Sequence, residues 1–166
     1  MRTHSIWFNC KDTVAFAKRF GLMMFSIVAL VVPAAGQDRM ILGPHQFERD
    51  NSGRGAVLCI WSIHLSVQAR AAECGWARRP VDDAIDEAIK AIDEFILANS
   101  SLHPTRPMLE DFKRRAAESE RRIVTRERYC DNRDSEFVRS ADPDRIREEV
   151  KALLSVPREP VMNPCL

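Results

Sequence analysis

The sequence predicts an all-α fold: a small up-and-down bundle of about four helices, closed by two disulfides and ending in an extended Pro-rich C-terminal tail. Three observations predict it. Apolar residues recur at helical spacing, most clearly Val81, Ile85, Ala88, Ile92 and Phe95. No run of strand length alternates apolar with polar residues. Four cysteines, Cys59, Cys74, Cys130 and Cys165, follow a segment with the features of an export signal, and an even number of cysteines in a small exported chain reads as a disulfide framework.

The export signal comes first in the chain. Lys18 and Arg19 flank a thirteen-residue uncharged run from Phe20 to Val32, and the small residues Pro33-Ala34-Ala35-Gly36 follow. A positive flank, an apolar stretch and a small-residue exit are the parts of a cleaved secretory signal. A membrane span needs roughly 20 apolar residues, more than this run supplies. Cleavage after Ala35 or Gly36 removes residues 1–36 and sends the remainder to the periplasm or the medium. Cys10 precedes the apolar run, so it cannot be the acylated cysteine of a lipoprotein. Met1 to Thr13 does not resemble a leader, and Val14 is an alternative start that N-terminal sequencing of the precursor distinguishes from Met1.

Cleavage changes the charge. It takes four basic residues (Arg2, Lys11, Lys18, Arg19) and one acidic (Asp12) from totals of 25 and 24, leaving 21 and 23, a net of −2. That is no electrostatic footprint for nucleic acid or an anionic membrane, and no membrane insertion is expected after cleavage.

Residues 37–53, polar and turn-rich, read as a flexible N-terminal arm, and 54–166 as a single helical domain. The first helix spans 54–74 and ends at Gly75. The second spans 80–99, with Pro80 in its first turn and Asp82 and Asp83 where the helix dipole favours them. A third, 106–130, carries a thinner apolar stripe through Leu109, Phe112 and Ala116. The fourth, 142–155, opens on the cap-and-proline pair Asp142-Pro143.

Helix geometry narrows the cysteine pairing. Cys59 and Cys74, fifteen residues apart on one helix, are about 22 Å apart and cannot bond to each other. Antiparallel succession of the helices brings Cys130 to the Cys74 end and lets the tail return Cys165 to the Cys59 end. The expected pairs are therefore Cys74–Cys130 and Cys59–Cys165. A metal role for these cysteines finds no C-x-x-C or Cys–His spacing to support it.

Recognisable catalytic chemistry is missing: no G-x-S-x-G, no S-x-x-K, no Gly-rich phosphate loop and no C-x-x-C-H, so no catalytic, cofactor-binding or metal-binding residue is assigned. His64 lies on an otherwise apolar helix. It reads either as a histidine hydrogen-bonded at a helix interface or, with Glu73 and the third helix's arginines, as part of a dispersed site. The second helix reads as exposing an acidic face that includes Asp82, Asp86 and Asp93. The third carries eight basic residues against five acidic. A ridge of Arg114, Arg115, Arg121 and Arg122, with Trp76 as anchor, is the candidate surface for an acidic protein partner.

The reading is an exported, non-catalytic interaction protein such as an inhibitor, immunity or accessory factor. The alternative is an enzyme or small-ligand-binding protein with its site around His64. In architecture alone the chain is similar to the periplasmic immunity proteins that neutralise cell-wall amidases, which are also helical and disulfide-linked; no motif is shared and no residue role is carried over.

Overall fold

The computed structural model describes residues 41–165, and the expected leader lies outside them. Helix accounts for 62% of the described residues and no strand forms among them. In chain order the helices are α1 (Val57–Glu73), α2 (Pro80–Asn99), α3 (Arg106–Ile123), α4 (Arg126–Cys130), α5 (Arg133–Arg139) and α6 (Pro143–Leu153), more than the four expected.

The departures have local causes. Gly55 sits at φ +103°, outside the helical region, so α1 begins at Val57 rather than at 54. The expected 106–130 helix breaks after Ile123 because Val124 is extended and Thr125 starts a new helix, its side chain accepting from the Arg128 N–H. Asn132 does the same for α5, accepting from the Ser135 N–H within a stretch expected to be loop. At the end of α1, Gly75 at φ +62° lets its own N–H reach Ala72 and the Trp76 N–H reach Ala71, which satisfies carbonyls the helix leaves open.

α2 forms the centre, with α1 and α6 packed on it. Ala84, Ile92 and Ile96 are fully shielded, and Val81, Ile85, Ala88 and Ile89 complete an apolar face too wide for one partner helix. Each such aliphatic side chain contributes about 1.5–3 kcal/mol on burial, against about 0–1 for an exposed ion pair, so this face dominates the fold. α3 joins more lightly, through Leu109 and through Phe112, whose ring stacks on Trp61 at 5.5 Å.

The acidic face expected on α2 is only partly exposed. Asp82 and Asp93 are buried. Asp82 accepts the Arg79 N–H at the helix start and both Nε and Nη2 of Arg139, each at 2.8 Å. Asp93 accepts from Trp61 Nε1 at 2.8 Å and from Lys113 Nζ at 2.7 Å. A spacing argument sees two carboxylates in polar company, whereas the fold supplies cations and an indole from distant helices.

Two disulfides close the domain, Cys59–Cys165 and Cys74–Cys130. From Ser155 to Cys165 the chain carries no helix and lies against residues 46–50 and the start of α1. Leu58 N–H donates to Val161 O, Met162 N–H to Gln46 O and Asp50 N–H to Asn163 O. The stretch read as an arm is thereby anchored from Leu42 onward: Leu42 is buried, and its carbonyl accepts from Ser100 Oγ.

Candidate functional site

α1 and α6 both rest on α2, and between them opens a cavity of about 550 Å³. α1 contributes Ile60, Ile63 and His64 to its wall, and α6 contributes Ile146, Val150 and Leu153. These positions fall at helical spacing on each element because i, i+3, i+4 and i+7 share a face. The faces that pack on α2 therefore continue into the cavity wall. Pro164 and the Cys59–Cys165 bridge lie at its rim.

His64 is the polar group inside this apolar wall. It is 7% exposed and makes no hydrogen bond with any described residue, and its Nδ1 is buried without a partner. Burial pushes its pKa down to about 4, opposed only by the charge of Glu149. The imidazole is therefore neutral at pH 7. A buried polar atom left unpaired costs about 1–3 kcal/mol, and any polar ligand atom that reached it would recover part of that.

The loop before α1 forms the mouth. Asp50 organises it by accepting from Ser52 Oγ at 2.8 Å, Gly55 N–H at 3.1 Å and Arg158 Nε at 3.0 Å. Burial alone would raise the Asp50 pKa, but the bonds from Ser52, Gly55 and Arg158 outweigh it and hold the carboxyl below the usual range. Arg158 also donates to the carbonyls of Gly55 and Leu153, tying this loop to the end of α6. Arg54 stands on the fixed loop and lines the cavity; among the described residues its guanidinium has no partner.

The cavity holds little reactive chemistry. Its lining includes no serine, threonine, lysine, tyrosine or free thiol, and Cys59 is locked in a disulfide. Glu149 on α6 is exposed and occupied by Arg145 at 2.7 Å. Among the described residues no group of three or more His, Cys, Asp or Glu could hold a metal ion.

Other residues singled out in the sequence lie elsewhere. Glu73 is not brought to His64; it accepts from Arg121 at 3.0 Å. Arg114 pairs with Asp111 and Glu118, and Arg115 with Asp111, so much of the arginine ridge is balanced along its own helix. Arg122 is exposed. Trp76 is half-buried, its ring 5.0 Å beneath the Arg139 guanidinium, and it lines a smaller cavity of about 260 Å³ between α1 and α2.

A wider groove of about 760 Å³ separates α3 from α1 and α2. Most of its charged groups are engaged, Asp93 with Lys113, Glu120 with Ser66 and Arg70, and Arg106 with Glu94, while Lys90 is exposed and has no partner among the described residues. Tyr129 Oη and Arg70 Nε are also buried without partners, but neither residue lines any of these three cavities. Of these three cavities, the one between α1 and α6 joins an apolar wall to an unpartnered buried group.

No family model matches the chain, and neither a curated protein nor a solved structure is similar to it. Reasoning from sequence singled out His64 but missed Arg54 and the α6 wall. Nothing in the Asp50–Gly55 stretch announces that its carboxylate is met by an arginine 108 residues away.

Proposed function

We propose that the mature domain is an exported, non-catalytic binding protein that takes a small, largely apolar ligand between α1 and α6. The observation that carries this is the apolar cavity built around a neutral histidine with no partner of its own. Small-molecule sites are concave, mostly apolar and supplied with a few polar groups, at about 300–1,000 Å³. Export to the periplasm or the medium is supported by the two disulfides, which persist in oxidising compartments. In this reading the extended Pro-rich tail closes one side of the cavity through Pro164.

The test is a fluorescence titration with N-phenyl-1-naphthylamine, an uncharged probe that brightens in apolar surroundings. Saturable binding to the oxidised domain, abolished by a cavity-filling Ile63→Trp substitution that leaves the circular dichroism unchanged, is expected. No saturable binding, or equal binding by the filled variant, overturns the reading.

An interaction protein, whether inhibitor, immunity or accessory factor, is the second reading. Phe137 favours it: the ring is 79% exposed on α5, and an exposed aromatic is a good interface anchor. Pull-downs from periplasmic extract would compare the wild-type domain with Phe137→Ser and with Arg114, Arg115, Arg121 and Arg122 all changed to Glu. Recovery of the same proteins by all three sinks it.

A further inference from the structure

Resting on the ligand-binding reading, we infer that the cavity selects an anionic amphiphile of the fatty-acid kind, its carboxylate held by Arg54 at the mouth and its hydrocarbon chain lying between α1 and α6. Three observations lead there. First, the charges lining the cavity are unequal in availability. Glu149 is paired with Arg145 at 2.7 Å, whereas the Arg54 guanidinium has no partner among the described residues. An arginine presents a planar fork of donors that suits a carboxylate, and its charge is permanent.

Second, Arg54 is presented by a rigid support. Its own N–H donates to Ser52 Oγ at 3.1 Å, and Ser52 and Gly55 on either side both bond to the buried Asp50 carboxylate. With the backbone fixed, only the side chain must be ordered on binding, which lowers the entropic cost of capture. Third, the interior is suited to hydrocarbon. Ile60, Ile63, Ile146, Val150 and Leu153 form its wall, and His64 brings no charge that would compete for the head group at neutral pH. A cationic amphiphile would meet Arg54 as a like charge. A neutral one would gain the burial of its chain and nothing from the mouth.

Competition against N-phenyl-1-naphthylamine at low ionic strength tests this, with dodecanoate, dodecanol and dodecyltrimethylammonium below their aggregation concentrations. Dodecanoate should displace the probe at least tenfold more tightly than dodecanol, and the cation more weakly than either. Arg54→Gln should remove the carboxylate's advantage while leaving dodecanol unchanged, and added salt should shrink that advantage in the wild type. Equal displacement by dodecanoate and dodecanol, or an Arg54→Gln variant that keeps the preference, overturns the anion selectivity while the apolar cavity stands. If neither the probe nor any amphiphile binds, the ligand-binding reading itself falls.

Discussion

The two sides of α2 are held by different forces. On one side α1 and α6 meet it through a continuous aliphatic face, with Ile85, Ile92, Ile96 and Leu58 almost wholly shielded. On the other, α3 is a charged helix that touches the core at Leu109 and Phe112 and is otherwise joined by polar contacts, Lys113 to Asp93 and Arg121 to Glu73. Apolar contact does not rest on charge, whereas exposed ion pairs are screened by salt. The cavity proposed as a binding site opens on the apolar side, so its walls stay in place at a salt concentration that loosens α3.

The largest expected effect comes from removing the covalent hold on the α3 side. Changing Cys74 and Cys130 together to alanine opens a loop of sequence separation 56 and should cost about 4 kcal/mol in denaturant unfolding. Hydrogen exchange should rise in α3 to α5 well before it rises in α2; a uniform rise across both would erase the distinction. Next, Ile92→Ala on the fully shielded side should cost about 2–5 kcal/mol. Phe112→Ala, at a half-buried ring on α3, should cost about half as much. Equal losses would mean that α3 is as tightly packed as α6.

Acid distinguishes His64 from Asp82 by pH window. His64 has its pKa lowered from 6.5 to about 4, so the unfolded chain takes up the proton first as pH falls. Stability should be complete above pH 6.5 and decline on the way to pH 4, by about 3 kcal/mol in all. His64→Leu should flatten that slope. Asp82 behaves differently: hydrogen bonds from Arg139 hold its carboxyl below the usual range, outweighing burial, which acts the other way. Its contribution is present above the unfolded value of 3.8 and disappears only below it, as pH falls toward the lower folded value. A decline between pH 6.5 and 4 that survives in the His64→Leu variant would assign the slope to other groups. The smallest effect is expected from Arg114→Ala, whose exposed partners Asp111 and Glu118 lie on the same helix. It should leave the melting temperature unchanged within error, and a clear drop would give the α3 surface pairs a weight not expected of exposed pairs.

How far the sequence alone reaches follows the same division. The apolar period of 80–99 marks α2 to the residue, because Pro80 and the polar 99–101 stretch delimit it and burial follows the stripe. The charged 106–130 stretch misleads, because its break depends on an extended Val124 and a Thr125 cap that leave the helical composition unchanged. The tracking of helix ends brings Cys130 to Cys74 even so, since α3 and α4 together still carry the chain to that end. His64 is visible in sequence as a lone polar group on an apolar helix, and the structure withholds the hydrogen bond expected of it. Arg54 is not visible, since a free arginine and a paired one look alike until the partners are placed. Arg139 and Arg158 are hidden for the same reason: their carboxylates lie 57 and 108 residues away.

The side-by-side run of residues 46–50 and 161–163 has a mechanical meaning. Arg49 and Asn163 form a parallel bridge, so tension applied along both segments loads their hydrogen bonds in shear, all at once, and not one after another as in unzipping. While Cys59–Cys165 is intact, a pull on residue 165 passes directly into α1 and bypasses that seam. Once the bridge is reduced, the same pull must run through the seam and the tail. Reducing the bridge at one edge of the cavity should therefore lower the force needed to pull residue 165 away from α1.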